Sequence, residues 1–236
     1  MKDVAGRILL TVSFALVFAM SAPGQTYITP SGSMAGGLPV DASVTFTLGS
    51  GTLDLTLRNL EANPTSVGGN LSDFSFTLSG VTGGLLTGAS SSELRTVAGG
   101  GSFTDAAGPT TPAGVGWVFS TSGGNYTLEV LSGPGHAGPA HTIIGPPGSG
   151  GTYSNANGSI AGNGPHNPFL DQSVTFVFSI PGLTPSTAIL SPTFSFGTSA
   201  GEDIVAVPLS PVPEPRTIFL IICGILAMVI MVFRTR

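Results

Sequence analysis

The chain has 236 residues, of which 35 are glycine, 19 proline and only 8% charged. Between positions 25 and 215 eleven carboxylates stand against two cations, Arg58 and Arg95, with no lysine. So acidic a body offers no cationic patch and excludes nucleic acid as a partner. Its lack of cysteine (the single Cys223 lies further on) excludes a disulfide framework and a thiol nucleophile.

Residues 1–24 read as a secretory signal peptide. Lys2 and Arg7 supply a positive start, and residues 8–20 are apolar apart from Thr11 and Ser13. That run is too short for a comfortable membrane span and suits a leader handled by the Sec machinery and signal peptidase. The small residues of Ala22-Pro23-Gly24 favour cleavage before Gln25. A cut before Ala22 is the alternative, but it would leave Pro23 second in the mature chain.

Residues 25–205 form the body. Its high Gly, Pro, Ser and Thr content suits either a turn-rich β domain or a disordered spacer, and the apolar periodicity favours the first. Residues 43–48 and 52–57 alternate strictly, with Val44, Phe46, Leu48, Leu53, Leu55 and Leu57 on one face of a hairpin turning at Gly49-Ser50-Gly51. Residues 74–78 alternate again. Residues 117–119 and 126–131 flank a second turn at 122–125, and 174–180 and 193–196 read as further strands. Phe46, Leu53, Leu55, Phe74, Phe76, Trp117, Phe119, Leu128, Phe176, Phe178, Phe194 and Phe196 are the predicted core. Short, regularly spaced strands with one dry and one Ser/Thr-coated face predict an all-β fold, an antiparallel β-sandwich or jelly roll.

Residues 132–168 do not fit a compact meander. They are crowded with Gly, Pro and Asn, and loops this long are usually functional or disordered. A brief strand at Ile143-Ile144 is expected within them. All three histidines, His136, His141 and His166, fall here, with Asn155, Asn157, Asn163, Asn167 and Asp171 close by in sequence. His-x4-His on a Gly/Pro loop is no recognised ligand pattern, so turn residues are expected rather than a metal site, and no cofactor is expected.

No catalytic set emerges either. A glycosidase needs two carboxylates held roughly 5 to 10 Å apart, and here the acids are scattered singly except for Glu202-Asp203. Gly49-Ser50-Gly51 lacks the strand-to-helix setting of a serine hydrolase elbow. No Asp-rich calcium loop is present, and the sequons at Asn70, Asn125 and Asn157 are expected by chance in so Thr/Ser-rich a chain. The expectation is a protein that is not an enzyme.

Residues 206–216 are a Pro-rich linker ending in Val212-Pro213-Glu214-Pro215-Arg216. Residues 217–233 are 17 in number with only Thr217 polar, and residues 234–236 are Arg-Thr-Arg. Seventeen helical residues span about 25 Å, the lower limit for a bilayer. Arg234 and Arg236 would stay cytoplasmic and leave the body outside. Pro213 and Pro215 hold the segment before the helix extended.

Motif, apolar helix and basic end together resemble the PEP-CTERM sorting signal of Gram-negative bacteria, with the Val-Pro-Glu-Pro-x-Thr form complete from Val212 to Thr217. Two features depart from that pattern: Thr235 interrupts the basic end, and Cys223 and two methionines enter the helix. The resemblance implies recognition and cleavage by an exosortase, a membrane-anchored precursor in the inner membrane, and release to the cell surface or extracellular matrix of biofilm- or exopolysaccharide-forming organisms. Residues 63–67 and 160–169 also resemble segments of uncharacterised PEP-CTERM proteins, which brings no activity. The expected function is structural or adhesive. The alternative is a carbohydrate-binding module or polysaccharide-acting hydrolase that uses residues 132–168.

Overall fold

A computed structural model describes residues 24–208. The signal peptide, the Pro-Glu-Pro motif, the apolar segment and the arginine tail lie outside the described residues. The described chain is almost entirely β: β1 (Gln25–Ile28), β2 (Met34–Ala35), β3 (Leu38–Pro39), β4 (Ala42–Leu48), β5 (Thr52–Asn59), β6 (Leu71–Leu78), β7 (Leu85–Ser90), β8 (Glu93–Val97), β9 (Phe103–Ala107), β10 (Val118–Ser122), β11 (Asn125–Glu129), β12 (Ile143–Ile144), β13 (Phe169–Asp171), β14 (Ser173–Ser179), β15 (Ile189–Phe196) and β16 (Ile204–Ala206). One short helix, α1 (Pro112–Val115), starts at a Thr111 cap and ends at Gly116 in the left-handed conformation.

The first sheet has the order β1-β4-β5-β14-β7, all antiparallel. In the second, β6 is central, with β11 and then β10 on one side and β15 and then β16 on the other. Beyond the end of β11, β6 also meets β12, from which β13, β8 and β9 continue the sheet; β12–β13 is its one parallel pair.

The alternation read in the sequence sets the registers. The β4–β5 hairpin pairs Leu48 with Leu53 around Gly49-Ser50-Gly51 as expected. The β10–β11 turn falls at 122–125, where the sequence places it. Ser122 pairs with Asn125, leaving a two-residue turn of Gly123 and Gly124, both at positive φ, the combination a type I′ turn demands.

The inner faces of the two sheets meet ring to ring. Phe46 lies 6.0 Å from Phe74 and 5.1 Å from Phe76, Phe119 lies 5.0 Å from Phe178, and Trp117 lies 5.7 Å from Phe176. Of the twelve predicted core residues, eleven are buried and Phe119 is half-buried against the cluster.

A second, smaller core lies under the β12-β13-β8 extension. Val67, Val97, Ile144, Tyr153, Ile160 and Phe169 are buried there, with Phe103 packed against them. Residues 145–168, the larger part of the 132–168 stretch read as a long loop, lie over this core. Tyr153 and Ile160 turn inward, and successive turns end in a 3₁₀ helix at Gly164–His166. Chain from 63–67 is stitched to them: Thr65 O accepts from Asn157 N, Ser159 Oγ accepts from Val67 N, and Asn63 pairs with Ser154 and Asn155. A segment without strands thus satisfies its backbone through turns and side chains.

Candidate functional site

Because Phe74, Phe76 and Leu78 point into the core, Asp73, Ser75 and Thr77 line the outer face of β6. Register extends this face across five strands. One row runs Val118–Glu129–Asp73–Ser195–Ile204 and the next runs Ser120–Thr127–Ser75–Thr193–Ala206. Two carboxylates that are 56 residues apart in sequence therefore stand directly opposite each other. Such neighbours have Cβ atoms about 5 Å apart, and like charges there repel.

The β15–β16 loop folds over one end of this row. Gly201 N donates to Asp73 Oδ2 at 3.1 Å, and Ser195 Oγ donates to Glu202 O at 2.5 Å. Asp73 is only 5% exposed, and its Oδ1 has no hydrogen-bond partner. Burial pushes the Asp73 carboxyl above the usual carboxylate range and the Glu129 charge adds to this, against the Gly201 amide. Glu129 is half-buried. Its Oε2 accepts from Ser132 Oγ at 3.0 Å, and its Oε1 lies 3.5 Å from His136 Nε2. Beside the pair is a cleft of about 380 Å³ walled by Asp73, Glu129, Ser75, Thr127 and Thr193, with the exposed Ile204 at its rim.

A second polar cluster belongs to the smaller core. Arg95, 5% exposed, meets Asp105 in a fork, with Nε to Oδ1 at 2.8 Å and Nη2 to Oδ2 at 2.7 Å. Its Nη1 reaches Asp171 Oδ1 at 2.7 Å and Tyr153 Oη at 3.1 Å, and the guanidinium lies 4.0 Å over the Phe103 ring. Burial alone would lower the Arg95 pKa, but its bonds to Asp105 and Tyr153 and the Asp171 charge hold it well above the ordinary value. The same contact lowers Asp105. Burial pushes Tyr153 up to about 12 and raises Asp171 in spite of Arg95. Tyr153 in turn donates to Gly145 O at 2.8 Å. Fork, ring and hydroxyl leave no reactive edge facing solvent, so the cluster pins residues 145–153 and β9 to β8 and β13.

The three histidines do not converge. His141 Nδ1 lies 3.1 Å from Val115 O, His166 Nδ1 lies 2.7 Å from Ser159 O, and His136 faces Glu129. Asn157 Oδ1 accepts from the amide and hydroxyl of Ser159, and Asn167 bridges Val97, Ile160 and Asn163. Among the described residues no group of three or more His, Cys, Asp or Glu side chains is placed to hold a metal. Glu202 and Asp203 precede β16 rather than lying within it, and Asp203 adopts a positive φ of 50°. The sorting residues Val212, Pro213, Glu214 and Pro215 and the tail residues Arg234 and Arg236 lie outside the described residues.

What sequence reasoning missed is the Asp73–Glu129 pair. The alternation put each on the polar face of its strand, but nothing in the spacing shows that β6 and β11 pair in this register. A further concavity of about 450 Å³ opens between the β7 and β10 edges, walled by Leu85, Leu86, Pro112, Trp117 and Phe119.

No protein-family model, no curated protein and no solved structure matches the chain. Among the described residues no helix is long and apolar enough to cross a membrane.

Proposed function

We propose that the chain is an exported β-sandwich protein, sorted by an exosortase to the cell surface or extracellular matrix of a Gram-negative bacterium, where it has a structural or adhesive role. The observation that carries this reading is Val212-Pro213-Glu214-Pro215 followed by 17 residues with one polar member and then Arg234 and Arg236.

The fold is consistent with display. Both sheets turn hydroxyl-rich faces outward. On the first, Thr26, Thr45, Thr56, Thr175 and Ser90 form one row across all five strands, with Thr26 and Thr45 hydroxyls 2.8 Å apart and Thr56 and Thr175 hydroxyls 2.9 Å apart. The competing reading is polysaccharide binding or hydrolysis through residues 132–168, where Tyr153 and Ile160 face inward and the exposed turns around them would have to supply the contacts.

Terminal-peptide mass spectrometry of the surface fraction tests the proposal. Mature protein should end near Pro215 and yield no peptide from residues 217–236. Cells lacking the exosortase should accumulate full-length chain in the membrane, and Glu214→Ala should do the same, because the apolar segment and arginines are untouched. Intact Arg236 on mature protein from wild-type cells would reduce the segment to a plain anchor and end the sorting reading.

A further inference from the structure

Among the strands that end the two large sheets, β10 is the longest one left without a guard. An outer strand presents unpaired N–H and C=O groups, and folds usually blunt it with charge, proline, shortness or a cover. Here α1 packs against β7 and β9 carries Asp105. β16 has three residues and follows Glu202-Asp203, and β1 has four. The five residues of β10, Val-Phe-Ser-Thr-Ser, contain neither charge nor proline.

The turn into β11 fixes which backbone groups stay open. With Gly123 and Gly124 as its two residues, Ser122 and Asn125 are the hydrogen-bonded pair that closes the hairpin. Val118, Ser120 and Ser122 therefore bond to β11, and Phe119 and Thr121 turn their N–H and C=O groups away from it. Among the described residues no backbone hydrogen bond from another segment reaches those groups.

Beside this edge lies the concavity of about 450 Å³ between β7 and β10. Leu85, 70% exposed, stands in its wall with Leu86, Pro112, Trp117 and Phe119, and no lining residue is charged. The body otherwise carries eleven carboxylates against two cations, so two copies repel over most approaches. At this edge they can meet without opposing charge.

We infer that β10 pairs with β10 of a second copy, antiparallel about a two-fold axis at Ser120, so that the second sheets of two molecules become one. In this register Phe119 of each chain faces Thr121 of the other. These are two hydrogen-bonded pairs that exchange two N–H···O=C bonds each, and they use every open group of Phe119 and Thr121. Ser120 meets its own copy, and Val118 meets Ser122. The match is self-complementary, as a two-fold interface requires. Glu129, opposite Val118 on β11, comes beside the Ser122 end of the second copy, far from that copy's own Glu129. The two apolar grooves adjoin across the axis, and Leu85 loses its contact with water. The inference does not depend on how the chain is exported or processed.

Sedimentation equilibrium of the purified full-length protein in density-matched detergent tests it. The wild type should be a monomer–dimer mixture with a dissociation constant on the order of 10 μM, as suits a small interface. Ser120→Glu sets two carboxylates face to face on the axis and should weaken dimerisation roughly tenfold or more, with an unchanged thermal transition to show that the variant is folded. Cross-linking in a Cys223→Ala background reads the register. Opposed residues of a non-hydrogen-bonded pair have Cα atoms about 4.5 Å apart, within disulfide reach. Copper–phenanthroline oxidation should therefore join Ser120→Cys into a disulfide dimer, whereas Thr104→Cys, exposed on β9, should stay monomeric. A wild type still monomeric at about 100 μM, a dimer that Ser120→Glu leaves intact, or equal cross-linking at both positions would overturn the inference.

Discussion

In the main core Phe46, Phe74, Phe76 and Phe194 touch ring to ring, supplied by strands that alternate from both sheets. In the smaller core a guanidinium is held beside Tyr153 and Phe103, and the covering residues 145–168 have no strand at all. The first is stabilised by area removed from water and depends on no ion pair. The second is a set of mutual obligations: Arg95 is tolerable in the interior only while Asp105, Asp171 and Tyr153 answer it. Burying charge costs several kcal/mol per ion before pairing recovers any of it. The contrast teaches that the molecule has one region held by apolar area and another whose stability depends on completeness.

The largest effect should come from the first region. Phe74→Ala removes a fully buried ring that contacts Phe46, Phe76 and Phe194, and it should cost about 3 to 5 kcal/mol by denaturant titration. A loss below about 1 kcal/mol would mean that the two sheets do not share this core.

The second region should break differently. Arg95→Ala leaves Asp171 buried with no counter-charge, and a loss of about 3 kcal/mol is expected. Replacing both partners, Arg95→Met with Asp171→Leu, should recover most of that loss, because an apolar pair of similar volume often matches a buried ion pair. If the double variant is no better than the single one, the cluster is not acting as a pair and the comparison fails. A core phenylalanine has no such compensating partner change.

Asp73 sharpens the comparison from the main sheet, since it is the charged group there that folding disfavours. Its folded pKa is raised above the ordinary carboxylate value of 3.8, so the native state binds its proton more readily than the unfolded chain does. Its contribution is therefore favourable below that ordinary value and is lost as pH rises through the higher folded value. Asp73→Asn removes the penalty while keeping an oxygen for the Gly201 amide. The variant should melt above the wild type at pH 7, and the two should converge near pH 3. Asp105 has the opposite sign: Arg95 lowers it, so its contribution is present above 3.8 and is lost as pH falls through the lower folded value. A variant that melts below wild type at pH 7 would show that the carboxylate is already satisfied.

The sequence made the main core legible because burial there follows a period of two. Val44, Phe46, Leu48 and Leu53, Leu55, Leu57 are visible in any window and leave no other face to bury. The smaller core was illegible for the converse reason. Glu93-Leu94-Arg95-Thr96-Val97 reads as a polar stretch until Asp105 and Asp171 are brought to Arg95, and Tyr153 and Ile160 sit in glycine-rich chain with no period at all. β7, with Gly88 and Ala89 in a six-residue edge strand, is too poor in β-formers to be read, and β2 and β3 have two residues each. The Asp73–Glu129 pair depends on register between strands separated by five other elements (β7, β8, β9, α1 and β10). Local pattern carries no such information.

The smallest effect expected is none at all, and it bears on residues 132–168 directly. Three histidines within 31 positions invite a zinc site, but the structure assigns each a different neighbour: Glu129 for His136, Val115 O for His141 and Ser159 O for His166. The closest approach to a ligand set is His136 with Glu129, two groups where a structural zinc takes four and a catalytic one three. Zinc added to purified protein should therefore leave the melting temperature within about 2 °C. A site held at 100 times its dissociation constant would add about 2.7 kcal/mol, which in a domain of this size raises the transition by about 5 °C or more. A shift of that size would require the turns at 145–168 to rearrange until the histidines meet. Tyr153 and Ile160 would then leave the smaller core, and the account of that segment as a packed cover completed by Arg95 would be wrong.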